Sequence, residues 1–272
     1  MLDSDVQETD IGGVLEAGLS ATDGDLLFVN PSREAIEALV SALERSGSPP
    51  TVRLFVDERA LKELTEDFLI ASAIAELVAS DALSIRTLGS VPRSSMLLTE
   101  DFLVSIVASS EGAIGLTATE QPFVRSVYDD YDDSWSRADS FDLRTPPLSR
   151  IRETLSEEIG ESAVSDFDRT LETLETARGN GDGIDEVTIA LLVAANNGEL
   201  LYDISRWGED IGLASKATFS RAKNQLEDHG LIETEKVPID VGRPRLRLLP
   251  AGGDPDASSI ETIIDDAATT FE

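Results

Sequence analysis

The chain has 272 residues, no cysteine and one histidine, His229. Without thiols there is no disulfide framework and no thiolate metal site, so the fold must be held by its core. A single histidine excludes any enzyme that needs two, a histidine metal cluster, or a duplicated His-Lys motif. Lysine is nearly as scarce, with four residues. No apolar run approaches the length of a membrane-spanning helix: the most apolar stretch, Phe68 to Ala75, is cut short by Glu76. The N-terminus lacks a basic region followed by an apolar run, so a soluble cytoplasmic protein with no membrane association is expected.

What the chain has in excess is acid. Asp and Glu number 53 against 22 Lys and Arg, a formal net charge of −31. Such a balance opposes a nucleic-acid partner, because like charges repel the phosphate backbone. The excess is unevenly placed, however. Residues 1 to 183 carry 36 acids and 14 bases, whereas residues 215 to 249 carry seven bases and five acids. Lys216, Lys223 and Lys236 all fall in that short basic stretch. Few lysines, many carboxylates and no cysteine match a protein kept soluble in a salt-rich cytosol, so the acidity reads first as an adaptation to halophilic solvent.

The basic stretch ends a pattern that reads as a winged helix-turn-helix over residues 184–249. Ile184, Val187, Leu191 and Ala194 recur at helical spacing before an Asn-Gly stop. A second short helix fits Glu199 to Trp207, ended by Gly208. After a turn, Ser215 is placed to cap a helix from Lys216 to His229. Phe219, Ala222 and Leu226 share one face of that helix, and Ala217, Ser220, Arg221 and Asn224 the other, which is free to enter a major groove. Leu231 to Val237 and Arg245 to Leu249 read as the two strands of a wing. The guanidinium of Arg221 can pair with guanine and the amide of Asn224 with adenine. Lys216, Thr218 and Lys223 flank them for phosphates, with Ser215 and Ser220 beside them. At the wing tip, Gly242-Arg243-Pro244-Arg245 resembles the core of AT-hooks, in which an extended arginine enters a narrow minor groove.

Upstream, apolar runs at 25–30, 51–56 and 82–87 alternate with helical patterns at 32–46 and 58–80, which implies βαβ units around a mostly parallel sheet. Three closely spaced runs at 95–98, 102–108 and 113–117 predict an antiparallel meander that extends it. Phe123, Tyr128, Tyr131 and Trp135 on an acidic helix are expected to cover one face. Residues 149–178 read as two helices interrupted at Gly160, with near-heptad apolar steps suited to pairing two protomers, and Gly179 to Gly183 as a hinge. The expected division is therefore a mostly parallel α/β domain at 1–148, linker helices and hinge at 149–183, a winged helix-turn-helix at 184–249 and an acidic tail at 250–272.

Other groups were weighed for chemistry. His229 before Gly230 suits the C-terminal end of a helix dipole rather than catalysis. Asp129, Asp130, Asp132 and Asp133 lie in a helical pattern without turn glycines, so no metal site is expected there. Gly179, Gly181 and Gly183 lack the strand and spacing of a dinucleotide loop. No catalytic residue and no cofactor are expected. The turn Leu88 to Ser95 follows a strand, where open α/β sheets place ligands, and Arg93 with Ser94 and Ser95 could hold an anionic or sugar-like metabolite effector.

An acidic α/β domain followed by Ser215 to Ile232 and Gly242-Arg-Pro-Arg245 resembles the haloarchaeal TbsP family of transcriptional regulators over nearly the whole chain. The resemblance implies a promoter-binding regulator of central carbon metabolism, linked to glucose-responsive control of gluconeogenic genes. The expected function is a homodimeric, sequence-specific regulator binding double-stranded promoter DNA, with an N-terminal domain for dimerisation and metabolite sensing. The alternative is a winged-helix adaptor that contacts the transcription machinery rather than DNA.

Overall fold

The structure, a computed structural model, describes residues 10–22, 24–46, 50–90, 92–110, 112–174, 184–239, 244–252 and 259–271. Spatial contacts divide the chain into two compact units, Met1–Thr65 with Ala73–Leu143, and Glu66–Ser72 with Arg144–Glu272.

The first unit is α/β. Its sheet contains β1 (Leu26–Val29), β2 (Val52–Val56), β3 (Leu83–Thr87), β4 (Ser95–Leu98), β5 (Leu103–Ser109) and β6 (Gly112–Ala118), in the order β3-β2-β1-β4-β5-β6. β1 is buried at every position, as a short apolar strand covered on both faces must be. Helices intervene between β1, β2 and β3, which pair in parallel, while β4, β5 and β6 form the antiparallel meander. Helix α1 (Ile11–Ser20) packs on α2 (Arg33–Arg45) and against β5 and β6. Ser32 starts α2 by accepting from the Ala35 amide at 3.2 Å.

On the opposite face, α5 (Gln121–Arg137) lays Val124, Tyr128, Tyr131 and Trp135 against Leu27, Val29, Phe55 and Leu98. Trp135 meets Phe55 edge-on, with ring centroids 5.6 Å apart. Phe123 departs from the aromatic pattern and is 58% exposed. Asp132 of the acidic run is bound by Arg53, whose other terminal nitrogen donates to the Tyr128 hydroxyl at 2.7 Å.

The single helix expected over 58–80 is two, α3 (Glu58–Leu64) and α4 (Phe68–Ala79). Buried Asp67 starts the second: its carboxylate accepts from the Leu69 amide at 3.2 Å and its carbonyl from the Ala71 amide at 2.9 Å. A side chain that competes for local amides breaks a run that apolar spacing reads as continuous.

The second unit has one core. It is built from α6 (Leu148–Glu158), α7 (Glu161–Thr173), α8 (Glu186–Asn196), α9 (Leu201–Asp210), α10 (Lys216–Asp228), the hairpin β7 (Ile232–Val237) and β8 (Arg245–Pro250), and α11 (Ile260–Phe271). Of the near-heptad residues of α6 and α7, Ile159, Val164, Leu171 and Leu174 pack against this core while staying partly exposed. Ile151, Leu155, Ala163 and Phe167 are buried against α8 and its neighbours. The buried carboxylate of Asp166 fixes α7 to the end of α8 by accepting from the side-chain amides of Asn196 at 2.7 Å and Asn197 at 2.8 Å. Trp207 donates from Nε1 to Thr154 Oγ1 at 3.0 Å, joining α9 to α6. The acidic tail, where a short helix fits Ser259 to Ala268, holds α11, which contributes Ile260, Ile263, Ile264 and Ala267 to this core, a stripe at helical spacing within acidic surroundings. Among the described residues no helix is long and apolar enough to cross a membrane.

Candidate nucleic-acid interface

The helix-turn-helix is α9, the turn at 211–215 and α10. Gly208, expected to end the first helix, lies inside it. A Cβ there would come 2.4 Å from the ring of Phe219, so the glycine serves close approach of α9 to α10. The chain reverses instead at Gly212, whose φ of +85° lies in the left-handed region. Ser215 caps α10, its hydroxyl accepting from the Thr218 amide at 3.2 Å. At the other end His229 occupies the C-cap position, with Nδ1 2.7 Å from the Gln225 carbonyl and its ring 5.2 Å from that of Phe271.

Phe219, Ala222 and Leu226 are buried, and Ala217, Ser220, Arg221 and Asn224 are exposed on the other side of α10. Arg221 Nη2 donates to Thr218 Oγ1 at 3.4 Å, and that hydroxyl also lies 3.0 Å from Ser215 Oγ. The face that the spacing predicts to lie away from the core is exposed.

The residues expected to meet phosphates differ among themselves. Lys223 is 8% exposed and ion-paired with Glu227, one turn on, so it faces the wing rather than solvent. Its spacing from Ala222 and Leu226 hides this, because the long stem can lie along apolar surface. Lys216 is exposed, but its Nζ sits 2.8 Å from Glu209 of α9. Arg245, at the start of β8 beside the wing loop, stacks 4.1 Å from the centroid of the exposed Tyr202 ring and lies 3.6 Å from Asp203. Arg243 and the rest of 240–243 lie outside the described residues. Lys236 and Arg247 are exposed on the two wing strands; the register puts Arg247 on the same face as Arg245 and Lys236 on the other. Arg247 stands opposite Glu235 in the hairpin, and the Leu248 amide donates to the Glu199 carbonyl at 2.8 Å, tying the wing to the start of α9.

Electrostatics follow these pairings. The hydrogen bond with Glu209 raises Lys216, and the same bond lowers Glu209. Against the cost of burial, hydrogen bonds from Lys223 and Thr234 hold Glu227 below the ordinary carboxylate range. Burial pushes Glu186, at the start of α8, upward, and it lines a cavity of about 290 Å³ with Phe68, Arg144 and the Gly212-Leu213 turn.

In the first unit a larger cavity of about 600 Å³ opens at the carboxyl ends of β2 and β3. Phe55, Leu88, Tyr131 and Ser134 line it, with Arg137 and Asp139 at its edge. Gly89 and Ser90 come from the turn expected to hold an effector, whereas Arg93, Ser94 and Ser95 of that turn do not line it. Arg93 and Ser94 are exposed, and Ser95 opens β4. Open α/β sheets hold ligands at such strand ends.

Two family models match the chain. One, described as transcriptional regulator TbsP-like, N-terminal, covers residues 3–146, and the other, transcriptional regulator TbsP-like, C-terminal HTH domain, covers residues 147–268. No curated protein matches. Among solved structures, that of TrmBL2, an archaeal chromatin protein with a novel mode of DNA binding, is similar at 13% identity and a TM-score of 0.37, over 49% of this chain and 52% of that one. The match thus spans about half of each protein.

Proposed function

Because the chain belongs to the TbsP-like transcriptional regulators, we propose that it binds double-stranded promoter DNA sequence-specifically, as a cytoplasmic homodimer that controls genes of central carbon metabolism. The observation that carries this reading is the exposed row Ser220, Arg221 and Asn224 on α10, whose opposite face is locked into the core. In this reading α10 enters the major groove. Lys216, Lys236, Arg245 and Arg247 meet phosphates, and Arg243 reaches the minor groove. The cavity at the ends of β2 and β3 is proposed to receive a small metabolite effector. No catalytic role is assigned to either unit.

The test is footprinting on promoter fragments recovered by chromatin pull-down. Arg221→Ala is expected to cost about 1–3 kcal/mol and to relax preference at one base position. Equal losses on every sequence would move Arg221 to the phosphate contacts. A chain that is recovered with promoters but leaves no footprint would support the adaptor reading instead.

A further inference from the structure

The sheet of the first unit has two edges, and they are treated differently. At the β3 edge the chain returns to cover the strand: the Thr87 amide donates to the Asp139 carbonyl at 3.0 Å, the Phe141 amide to the Ile85 carbonyl at 3.1 Å, and Arg86 bridges Ser140. At the other edge, among the described residues, no backbone hydrogen bond from outside the sheet reaches β6. An uncovered edge strand is a template for another strand, and proteins usually block it with charge, proline or a bulge. β6, Gly-Ala-Ile-Gly-Leu-Thr-Ala, has no charge and no proline.

The neutrality is local and contrasts with the rest of the chain. Of all residues 28% are charged, yet the hairpin from Leu103 to Ala118 holds only Glu111. One face of its far end is also apolar and uncovered: Val107 is 54% exposed, its cross-strand partner Ile114 43% and Leu116 48%. The alternate residues Ala113 and Gly115 are buried on the side of α1.

We propose that β6 is the homodimer edge and that its occupant is the β6 strand of a second copy. The inference rests on the dimeric reading above and gives it a place. Two chains at −31 each repel least where no carboxylates face one another, and this hairpin is such a place. A strand also pairs antiparallel with its own copy about a two-fold axis, which makes the contact self-complementary and closed. With the axis through Gly115, Ile114 stands opposite Leu116 of the partner subunit, and both lie on the uncovered apolar face. Two six-stranded sheets then become one of twelve strands. Leu155 and Phe167 of α6 and α7 are buried in their own core and are not free to pair with a second copy.

The full chain in molar potassium chloride is expected to scatter light at twice 29.2 kDa. Ile114→Lys with Leu116→Lys should scatter as a single chain that still unfolds cooperatively. Because the sequence has no cysteine, Ile114→Cys with Leu116→Cys offers a second, independent measurement. That double variant should form a disulfide-linked dimer on a non-reducing gel under mild oxidation. Val78→Cys, 38% exposed elsewhere in the unit, should not. A monomeric wild-type chain, a lysine variant that remains dimeric, or a double cysteine variant that does not cross-link overturns the proposal. Footprinting by the wild-type chain reads DNA binding separately, so failure of the edge and failure of the regulator reading are distinguishable.

Discussion

At the scale of the residue, the recognition surface is less basic than its composition suggests. Lys223 is bound to Glu227, Lys216 to Glu209 and Arg245 to Asp203. Among the described residues Arg221, Lys236 and Arg247 make no ion pair. Glu209 holds the lysine at the first turn of α10, where a helix N-terminus would otherwise favour a phosphate. Removing that carboxylate frees Lys216 and removes a repulsion at once. Glu209→Gln should therefore tighten binding several-fold, about equally on all duplexes, and Lys216→Ala should weaken all of them. The difference should shrink as salt screens the exposed pair. Titration of two unrelated duplexes with both variants checks this, and unchanged affinity for Glu209→Gln would take Lys216 away from the phosphates.

At the scale of the element, the orientation of α10 depends on one missing methyl group. Adding it at Gly208 drives a Cβ into Phe219, a buried ring that cannot swing aside in a close-packed core. Gly208→Ala should destabilise the second unit by about 1–3 kcal/mol, the usual cost of overpacking, and should weaken DNA binding further if α10 tilts. Chemical denaturation beside a binding curve measures both, and a variant as stable as wild type would show that α9 and α10 have room to part. This position also shows what the sequence can reveal. A glycine at the end of a periodic run reads as a stop, and only the opposing Phe219 shows it to be a contact. Repeating apolar spacing made the sheet strands, the capped α10 and its exposed row legible. The sequence hid local side-chain competition, with Asp67 breaking a helix and Glu227 claiming Lys223 one turn away, and the long-range closure of one core by α6, α7 and α11 with α8. At the C-terminus the helix was legible, but its isoleucine stripe packing into the core was not, because acidic residues surround it.

At the scale of the whole molecule, the question is how a chain at −31 holds a polyanion. A DNA-binding protein ordinarily gains affinity by releasing condensed counterions, and loses it with salt at a slope of about −0.9 per phosphate neutralised. Here the gain is small from the outset. Residues 215 to 249 exceed neutrality by only two charges, and several of those cations already face carboxylates within their own domain. Bringing Glu209, Asp203 and the wing acids near phosphates should require cations to be taken up between like charges, which offsets those released. In the proposed reading, what remains is base-edge contact by Arg221 and Asn224 and minor-groove contact by Arg243, which add base and shape readout to the small phosphate contribution. Specific affinity should therefore stay nearly flat, or rise, from low to molar potassium chloride, while Arg243→Ala should lose chiefly the preference for A·T-rich flanks. A promoter duplex titrated across that range decides the matter: a steep monotonic loss would mean that phosphate neutralisation dominates after all, and that the carboxylates beside Lys216 and Arg245 give way when DNA arrives.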